Sequence, residues 1–515
     1  MEQTLTSATT AVAVASPSGE GAVATVRVSG PDAISIVGGA WRGRSLAEIR
    51  PRTATLGCYI AVDGEELDQC VATVFRAPAS FTGEDSVELS LHGSRWIQQA
   101  VVADLISRGC VMAGRGEFSR RAFLNGKIDL AQAEGIADLI AASSRAAHRL
   151  AFSQTKGSFS RRLDALRADL IELASLLELE LDFSEEDVEF ADRPRLLDIA
   201  RRTLELVDRL AASYAAGHAI ADGVGVVIAG APNAGKSTLL NLLLDDDRAI
   251  VSDIPGTTRD VIEATREING VLYRFIDTAG LRHTDDPVER LGIDRTRDRA
   301  ARASAVVWLL DAAAPLDPQL KERDALAAGI PEVPVITVAN KADLLPARQT
   351  TADDATAVPG ARIGTAPVPS LDAGVADPGA GIGVASVPSL DAGIAAPGAG
   401  IGVASVHGSV RGAVCEISAK TGEGIDSLIA QIEKTVDNGL DWQTDLMVTN
   451  GRHYESLLKI GEALRQTIAG LETGLSADLI AEDLRIAIHH LGTITGAVTT
   501  DTLLSTIFSR FCIGK

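Results

Sequence analysis

A glycine-rich stretch, Gly-Ala-Pro-Asn-Ala-Gly-Lys-Ser at residues 230–237, constrains the fold more than any other feature of this 515-residue chain. The apolar run "GVGVVIAG" precedes it and "TLLNLLL" follows it, so the stretch joins a buried strand to the start of a helix. Gly230 and Gly235 permit the tight turn that such a junction needs. Backbone N–H groups at the start of the helix then converge on one point, which favours a bound phosphate group. The stretch therefore predicts a phosphate-binding loop (P-loop) in an α/β domain.

Two side chains of this loop have predicted chemical roles. Lys236 neutralises the β- and γ-phosphates of a nucleotide during cleavage, and Ser237 ligates Mg²⁺. The segment "DTAG" (277–280) ends the strand "LYRFI", which places Asp277 against the Mg²⁺ shell and Gly280 against the γ-phosphate. These residue types in this order predict a nucleoside triphosphatase.

Three further motifs identify the base and complete the site. "NKAD" (340–343) follows the strand "VPVITVA", and Asp343 can accept hydrogen bonds from N1–H and N2–H₂ of guanine, donors that adenine lacks. "SAK" (418–420) follows "AVCEI" and is predicted to close over the base. "GTTRD" (256–260) lies where a mobile switch carries a Mg²⁺-ligating threonine. The order and spacing of all five motifs resemble those of the TRAFAC GTPases.

That resemblance implies a large set of GTP contacts. These are Asn233, Ala234, Gly235, Lys236, Ser237, Thr238, Ser252, Asp253, Ile254, Pro255, Gly256, Thr257, Thr258, Asp277, Thr278, Ala279, Gly280, Asn340, Lys341, Asp343, Ser418, Ala419 and Lys420. Leu281 stands where Ras-like proteins carry the glutamine that orients water, so Glu289 is the candidate for that role. The amide oxygen of Asn233 can ligate K⁺, which would supply the positive charge that an arginine finger provides elsewhere.

Segments of different pattern follow one another along the chain. Residues 1–120 carry short β-type runs such as "AVATVRVSG" around one amphipathic helix, which predicts an α+β domain. Residues 121–219 and 438–515 have apolar residues three and four apart, which predicts an α-helical bundle domain in two parts. Alternating β and α segments over 220–437 predict an inserted α/β P-loop domain, which requires that the two ends of the host lie close in space.

A tandem repeat interrupts the α/β domain. "VPSLDAGVADPGAGIGVAS" (368–386) is followed at once by "VPSLDAGIAAPGAGIGVAS" (387–405). Two copies rich in Gly, Ala and Pro are too few for a solenoid and are typical of a flexible surface loop. We expect a poorly ordered insert at about 347–411.

Charge and composition limit the class of protein. The formal net charge is −21, so a nucleic-acid partner must meet a local basic patch or be held mainly by another protein. The longest apolar runs, such as 224–229, are too short to cross a bilayer. Five widely spaced cysteines fit a reducing cytoplasm, and the scattered histidines indicate no transition-metal site.

Motifs outside the P-loop domain narrow the family. "FTGEDSVELSLHG" (81–93), "GEFSRRAFLNGKIDLAQAEGIADLI" (116–140) and the terminal "FCIGK" (511–515) resemble the tRNA-modification GTPase family MnmE/TrmE. The resemblance implies a cytoplasmic homodimer through a folate-binding-like N-terminal domain. It also implies a heterotetramer with an FAD-dependent partner protein, and K⁺-dependent pairing of the GTPase domains. The family installs an aminomethyl or carboxymethylaminomethyl group at C5 of the wobble uridine (position 34) of certain tRNAs. The carbon comes from 5-formyl- or methylene-tetrahydrofolate.

Residue roles follow from the same resemblance. The implied K⁺ ligands are Asn233, Ser252, Ile254 and Thr257. The implied Mg²⁺ ligands are Ser237 and Thr258, while Glu289 would orient the attacking water. The implied folate contacts are Arg27, Glu88, Lys127 and Lys515. The Glu88 carboxylate can pair with the pterin ring of folate, and the three cations can neutralise its glutamyl carboxylates. Cys512 is placed by the folate pocket as a candidate catalytic thiol, although a packing role in the tail remains open.

Three features depart from the family pattern. The loop after the first strand reads "SGEGAV" with Glu20, where an Arg-Gly-Gly type loop is common. Pro255 lies within the K⁺-contacting loop, and the repeat insert stands beside the loop that closes over guanine. Two other readings stay open at this point: a ribosome-assembly GTPase of Era or Der type, and a folate-dependent one-carbon transferase that works without tRNA or a flavoprotein.

Overall fold

The computed structural model describes residues 9–182, 193–244, 263–277, 297–344, 415–437 and 447–514. The insert predicted at 347–411 lies outside these ranges. The described helices are α1 Ala33–Gly39, α2 Arg95–Ser107, α3 Glu117–Leu124, α4 Leu130–Ala141, α5 Arg145–Thr155, α6 Ser158–Asp182, α7 Arg193–Ala212, α8 Tyr214–Asp222, α9 Lys236–Leu244, α10 Leu316–Gly329, α11 Ile425–Asp437, α12 Gly451–Thr473, α13 Ala477–Thr495 and α14 Asp501–Phe508. The described strands are β1 Ala11–Val14, β2 Val23–Ser29, β3 Trp41–Gly43, β4 Ala54–Ile60, β5 Glu66–Phe75, β6 Ser86–His92, β7 Val111–Met112, β8 Val224–Gly230, β9 Glu263–Ile268, β10 Val271–Asp277, β11 Ala305–Asp311, β12 Val335–Asn340 and β13 Cys415–Glu416.

The N-terminal part is a seven-stranded sheet in the order β3-β4-β5-β6-β2-β1-β7. Its strands alternate in burial, because successive side chains point to opposite faces. Val26, Val28 and Leu89 are fully buried in the core that one face shares with α1 and α2. The predicted strand "AVATVRVSG" forms β2, and the predicted amphipathic helix forms α2. The short strands β3 and β7 carry no comparable sequence signal.

The helical bundle is built from two separate parts of the chain. α6 and α7 come from the first part, and α12 and α13 come from the second. Their apolar stripes meet in one core that includes Leu170, Leu173, Ile460 and Leu484, all fully buried. Apolar residues at helical spacing therefore specify which face of each helix packs inward.

The inserted part is a six-stranded sheet in the order β13-β12-β11-β8-β10-β9. β8 pairs in parallel with β10 and β11, while β9 forms an antiparallel hairpin with β10. Six of the seven residues of β8 are buried, as expected for a parallel strand covered on both faces. This arrangement brings the carboxyl ends of β8, β10, β11 and β12 to one edge of the sheet.

The insertion leaves and re-enters the bundle at one place. The backbone N–H of Val448 donates to the Ser213 hydroxyl at 3.1 Å, although these residues are 235 positions apart. A Cβ at Gly217 would lie 2.3 Å from the Val448 carbonyl oxygen, so the two segments touch backbone to backbone. The structure thus has the predicted multidomain layout: an α+β N-terminal domain, a helical domain, and an α/β P-loop domain inserted into it.

Candidate functional site

The P-loop lies between the end of β8 and the start of α9. Gly230 has φ 142°, and a Cβ there would lie 2.2 Å from the Leu309 carbonyl oxygen. Gly235 has φ 94°, and a Cβ there would lie 2.3 Å from Nδ2 of Asn340. Both positions therefore require glycine for backbone conformation and for space. Asn233 adopts φ 63° at the exposed tip of the loop.

The loop's lysine and serine lie where phosphate chemistry needs them. The ammonium group of the buried Lys236 donates to the carbonyl oxygens of Gly230 and Ala231, at 2.9 and 2.8 Å. The Ser237 hydroxyl donates to Oδ2 of Asp277 at 3.1 Å, which joins the P-loop to the end of β10. A hydroxyl and a carboxylate are the hard oxygen donors that Mg²⁺ prefers, so these two residues fit the implied ion.

Asn340, at the end of β12, connects the P-loop to the predicted guanine-binding loop. Its Nδ2 donates to the Ala234 carbonyl oxygen at 2.7 Å, and its Oδ1 accepts from the Ala419 N–H at 2.9 Å. The hydroxyl of the buried Ser418 donates to Oδ1 of Asp343 at 2.8 Å. This bond holds the exposed Asp343 carboxylate beside the "SAK" segment, as recognition of a guanine edge requires. Thr238 and Lys420, two further predicted GTP contacts, are both exposed.

Sequence reasoning missed Asp311, which also belongs to this site. Its carboxylate pairs with the ammonium group of Lys341 at 2.6 Å, and Lys341 itself has φ 66°. The Gln319 side chain accepts from the Asp311 N–H at 2.8 Å and donates to its carbonyl oxygen at 3.2 Å. An aspartate that ends the apolar run "AVVWLLD" was the available signal, because β11 ends at the same sheet edge as β8 and β12.

Part of the predicted GTP site lies outside the described residues. These positions are Ser252, Asp253, Ile254, Pro255, Gly256, Thr257, Thr258, Thr278, Ala279, Gly280 and Glu289. The catalytic role of Glu289, the second Mg²⁺ ligand Thr258 and three of the four K⁺ contacts therefore remain predictions. The P-loop, Asp277 and both base-recognition motifs are described, and they converge on one edge of the sheet.

Two predicted folate contacts face each other across neighbouring strands of the N-terminal sheet. Arg27 on β2 lies directly opposite Glu88 on β6. The guanidinium group binds Oε1 of the carboxylate through Nε at 2.9 Å and Nη2 at 2.8 Å. The rings of Phe81 and Phe118 each lie 5.4 Å from the guanidinium carbon. The result is a paired cation and anion between two aromatic rings, a setting suited to a flat polar ligand.

The C-terminal tail packs against the same end of the sheet. The carbonyl oxygen of Cys512 accepts from the Gly116 N–H at 3.3 Å, and the side chain of Cys512 is exposed. Gly514 has φ 94°, and a Cβ there would lie 2.2 Å from the carbonyl oxygen of Val14 on β1. β1 in turn pairs with β2 with Ala13 opposite Arg27, so the tail is carried to the strand beside the Arg27–Glu88 pair.

The structure says less about the other two predicted folate contacts, Lys127 and Lys515. The exposed Lys127 donates through Nζ to the Pro78 carbonyl oxygen at 3.0 Å. Lys515 lies outside the described residues. The roles of Lys127 and Lys515 in folate binding both remain predictions.

Curated proteins from several bacteria match nearly the whole chain. A "tRNA modification GTPase MnmE" of Christiangramia forsetii is 41% identical over 98% of this chain and 99% of that protein. The protein of the same name from Bacteroides fragilis is 42% identical, again over 98% and 99%. That of Flavobacterium johnsoniae is 40% identical over 98% of both chains.

Two family models divide the chain as the fold does. The model of the GTP-binding protein TrmE N-terminus matches residues 10–127, which hold the seven-stranded sheet. The model of the MnmE helical domain matches residues 130–512, with the P-loop domain inside that span. Matches of this length and identity assign the chain: it belongs to the MnmE (TrmE) family.

Proposed function

We propose that this chain is a K⁺-activated GTP hydrolase that, with an FAD-dependent partner protein, modifies C5 of the wobble uridine of certain tRNAs in the cytoplasm. The added group is aminomethyl or carboxymethylaminomethyl, and its carbon comes from a reduced folate. The observation that carries the proposal is the amide of Asn340, which joins the phosphate loop and the guanine loop into one nucleotide site. The relatives' shared name supports the tRNA reaction.

Hydrolysis of GTP is assigned to the residues at the sheet edge. Ser237 would hold Mg²⁺, with Asp277 supporting the Ser237 hydroxyl, and the ion would supply positive charge to the phosphates. Lys236 leaves the loop carbonyl oxygens to bind the phosphates, because two phosphate oxygens are stronger acceptors. Asn233 and the loop around Ser252 hold K⁺ beside the phosphates, and Glu289 orients the attacking water.

The N-terminal domain is assigned to folate binding and to homodimer formation. Arg27 and Glu88 share their sheet face with a cross-strand row that includes Leu56 and Val71. Leu56 is 63% exposed on this face, opposite the face that packs on α1 and α2. An exposed apolar residue on the sheet face that carries the paired charges supports a dimer interface on the face of the folate site.

The assignment of GTP hydrolysis is tested by comparing rates in K⁺ and Na⁺ buffers of equal ionic strength. The expected result is strong, K⁺-specific stimulation that is lost in Asn233→Ala, while ATP is not hydrolysed. Thr502→Ala, an exposed change on α14, is the matched control and should behave as the unmodified protein. Equal rates in both salts would refute K⁺ activation and leave GTP hydrolysis as a separate result.

The modification step needs its own experiment. The purified chain is incubated with the flavoprotein, unmodified tRNA, GTP, labelled methylene-tetrahydrofolate and either ammonium or glycine as the amine donor. Nucleosides are then analysed by mass spectrometry. The proposal is supported if label appears at C5 of uridine 34 only when both proteins are present. Transfer without tRNA or flavoprotein would favour a stand-alone transferase.

Cys512→Ser is expected to abolish labelling while GTP hydrolysis continues. Full labelling in this variant would leave Cys512 a packing role only.

A further inference from the structure

One stretch of the helical domain has a charge opposite to that of the whole protein. The chain has 69 acidic and 48 basic residues. Residues 139–163 nevertheless contain no aspartate or glutamate, and they include five Lys or Arg residues and one histidine. A basic run of this length in an acidic protein is the local patch that a nucleic-acid partner requires.

The structure gathers these residues on one exposed surface. α5 buries Ala147, Leu150 and Ala151 against the domain, and its basic residues point outward. We define the basic stripe as seven exposed residues of α5, the turn after it and the start of α6, which are Arg145, His148, Arg149, Phe152, Lys156, Arg161 and Arg162. Spacings of three and four residues place the first five along one side of the helix.

An aromatic ring lies in the middle of the stripe. Phe152 is 44% exposed, with the His148 ring stacked 5.9 Å away and nearly parallel to it. The ammonium group of Lys156 lies 4.3 Å from the centre of the Phe152 ring. Cations beside an exposed ring provide both phosphate contacts and a stacking platform for a base. A helix that inserts into a membrane would instead expose several large apolar residues, and Phe152 is the one that α5 exposes.

The stripe lies between the P-loop domain and helix α4 of the helical domain. At its start, the Ala146 N–H donates to the carbonyl oxygen of Gly270 at 2.8 Å, in the β9–β10 hairpin of the P-loop domain. At its end, the Thr155 carbonyl oxygen accepts from Gln132 at 3.1 Å, in the first turn of α4. α4 directly follows the "FLNGK" segment of the N-terminal domain. A chain of phosphates along the stripe would therefore run from the β9–β10 hairpin of the P-loop domain to α4, the helix that adjoins the N-terminal domain in the chain.

We infer that the basic stripe binds the sugar-phosphate backbone of the substrate tRNA, with Phe152 stacking against an unpaired base. The identity of the RNA rests on the proposed function, whereas the binding surface rests on charge, exposure and position. The stripe would contribute to the tRNA affinity of this chain in addition to any contacts made by the partner protein.

The test measures binding of fluorescein-labelled, unfractionated tRNA to the full-length chain by anisotropy, over a range of KCl concentrations. Lys156→Gln/Arg162→Gln removes two stripe charges, and Arg202→Gln/Arg485→Gln removes two exposed charges elsewhere on the bundle. The stripe variant should raise Kd about tenfold or more and lower the salt slope by about one for each lost phosphate contact. The control variant should leave both unchanged. Phe152→Leu should weaken binding without a change in salt slope, since it removes stacking and no charge.

GTP hydrolysis and far-UV circular dichroism of each variant separate this inference from the proposed function. Loss of tRNA binding with normal folding and normal GTP hydrolysis supports the stripe. Equal tRNA binding by the stripe and control variants would overturn it, even if modification activity were confirmed. Vesicles of phosphatidylglycerol are tested in parallel, and selective loss of vesicle binding with unchanged tRNA binding would assign the stripe to a lipid surface instead. Absence of GTP hydrolysis in the unmodified chain would refute the proposed function without bearing on RNA binding.

Discussion

Asn340 holds two loops of the nucleotide site together through a single side-chain amide. Its donor and its acceptor are both used, toward Ala234 and Ala419, which lie 106 and 79 positions away. The bonds are buried, so loss of either one leaves an unsatisfied polar group as well as a mobile loop. The phosphate and base subsites are therefore coupled through one residue, and base recognition can be tested at its neighbour Asp343.

Asp343→Asn is expected to exchange guanine specificity for xanthine specificity. The carboxylate accepts from N1–H and N2–H₂ of guanine, whereas an amide presents a donor that suits the C2 carbonyl of xanthine. Affinity for GTP should fall about 100-fold or more, consistent with about 3 kcal/mol for lost hydrogen bonds to a charged group. Titration with fluorescent GDP and XDP measures the change. Ser418→Ala removes the support of Asp343 and the acceptor for the Thr421 N–H, and it should cause a smaller loss without any gain for XDP.

Asp138 gives the helical domain a dependence on pH. It lines a cavity of about 80 Å³ between α4, α5 and α8, together with Asp222. Burial, with the charges of Glu134 and Asp222, raises its pKa to about 6, and Arg510 opposes the shift. When folding raises the pKa of a carboxyl group, ionisation of that group destabilises the folded state. The destabilisation is greatest above the raised pKa, where the buried group is charged.

Asp138→Asn should consequently stabilise the protein near pH 7.5 and not near pH 4. The penalty begins as pH rises past the unfolded pKa of about 4 and is complete above about 6, with a size of about 3 kcal/mol. Urea unfolding at the two pH values measures it. Asp169→Asn, an exposed change on α6, serves as the control. A gain that is equal at both pH values would show that the carboxyl charge is not the cause.

At the scale of elements, strong local patterns predicted most of what was observed. "GVGVVIAG" and the helical periodicity of the bundle each depend on neighbouring residues in the chain, and both formed the predicted element. The Arg27–Glu88 pair depends on which strands are neighbours and on their register, neither of which alternation within a single strand reveals. The position of the C-terminal tail could not be predicted from local pattern either, because Gly514 packs on β1, 500 residues away in the chain.

Gly514→Ala should detach the tail and uncouple modification from GTP hydrolysis. The added Cβ would collide with the Val14 carbonyl oxygen, and φ 94° disfavours any residue with a Cβ. Cys512 would then lose its position beside the sheet, so wobble-uridine modification should fall at least tenfold while GTP hydrolysis is unchanged. Faster release of the last residues by carboxypeptidase measures the detachment. Ser509→Ala, an exposed change just before the tail, should alter neither.

At the scale of the whole molecule, the inserted P-loop domain leaves and re-enters the bundle where two segments of the host lie side by side. Ser213 and Val448 are joined by a hydrogen bond where the insertion begins and ends. The alternating β and α segments over 220–437 indicated the insertion, but the contact that closes it became visible only in the fold. No helix in the described part of the chain is long and apolar enough to cross a membrane.

Because the junction is closed by the host itself, the bundle should fold without the insertion. Residues 223–446 are replaced by about six Gly and Ser residues, enough to span the roughly 8 Å of helix between Gly217 and the end of α8. The core that contains Leu170 and Ile460 is unaffected by the deletion, since it belongs to α6, α7, α12 and α13. The shortened protein should retain high helicity and a cooperative thermal transition by circular dichroism.

A matched variant with Leu170→Ala should lower the midpoint sharply, because it leaves a cavity in that core. A shortened protein without a cooperative transition would show that the P-loop domain is needed to hold the two halves of the bundle together, in which case the two domains form a single folding unit.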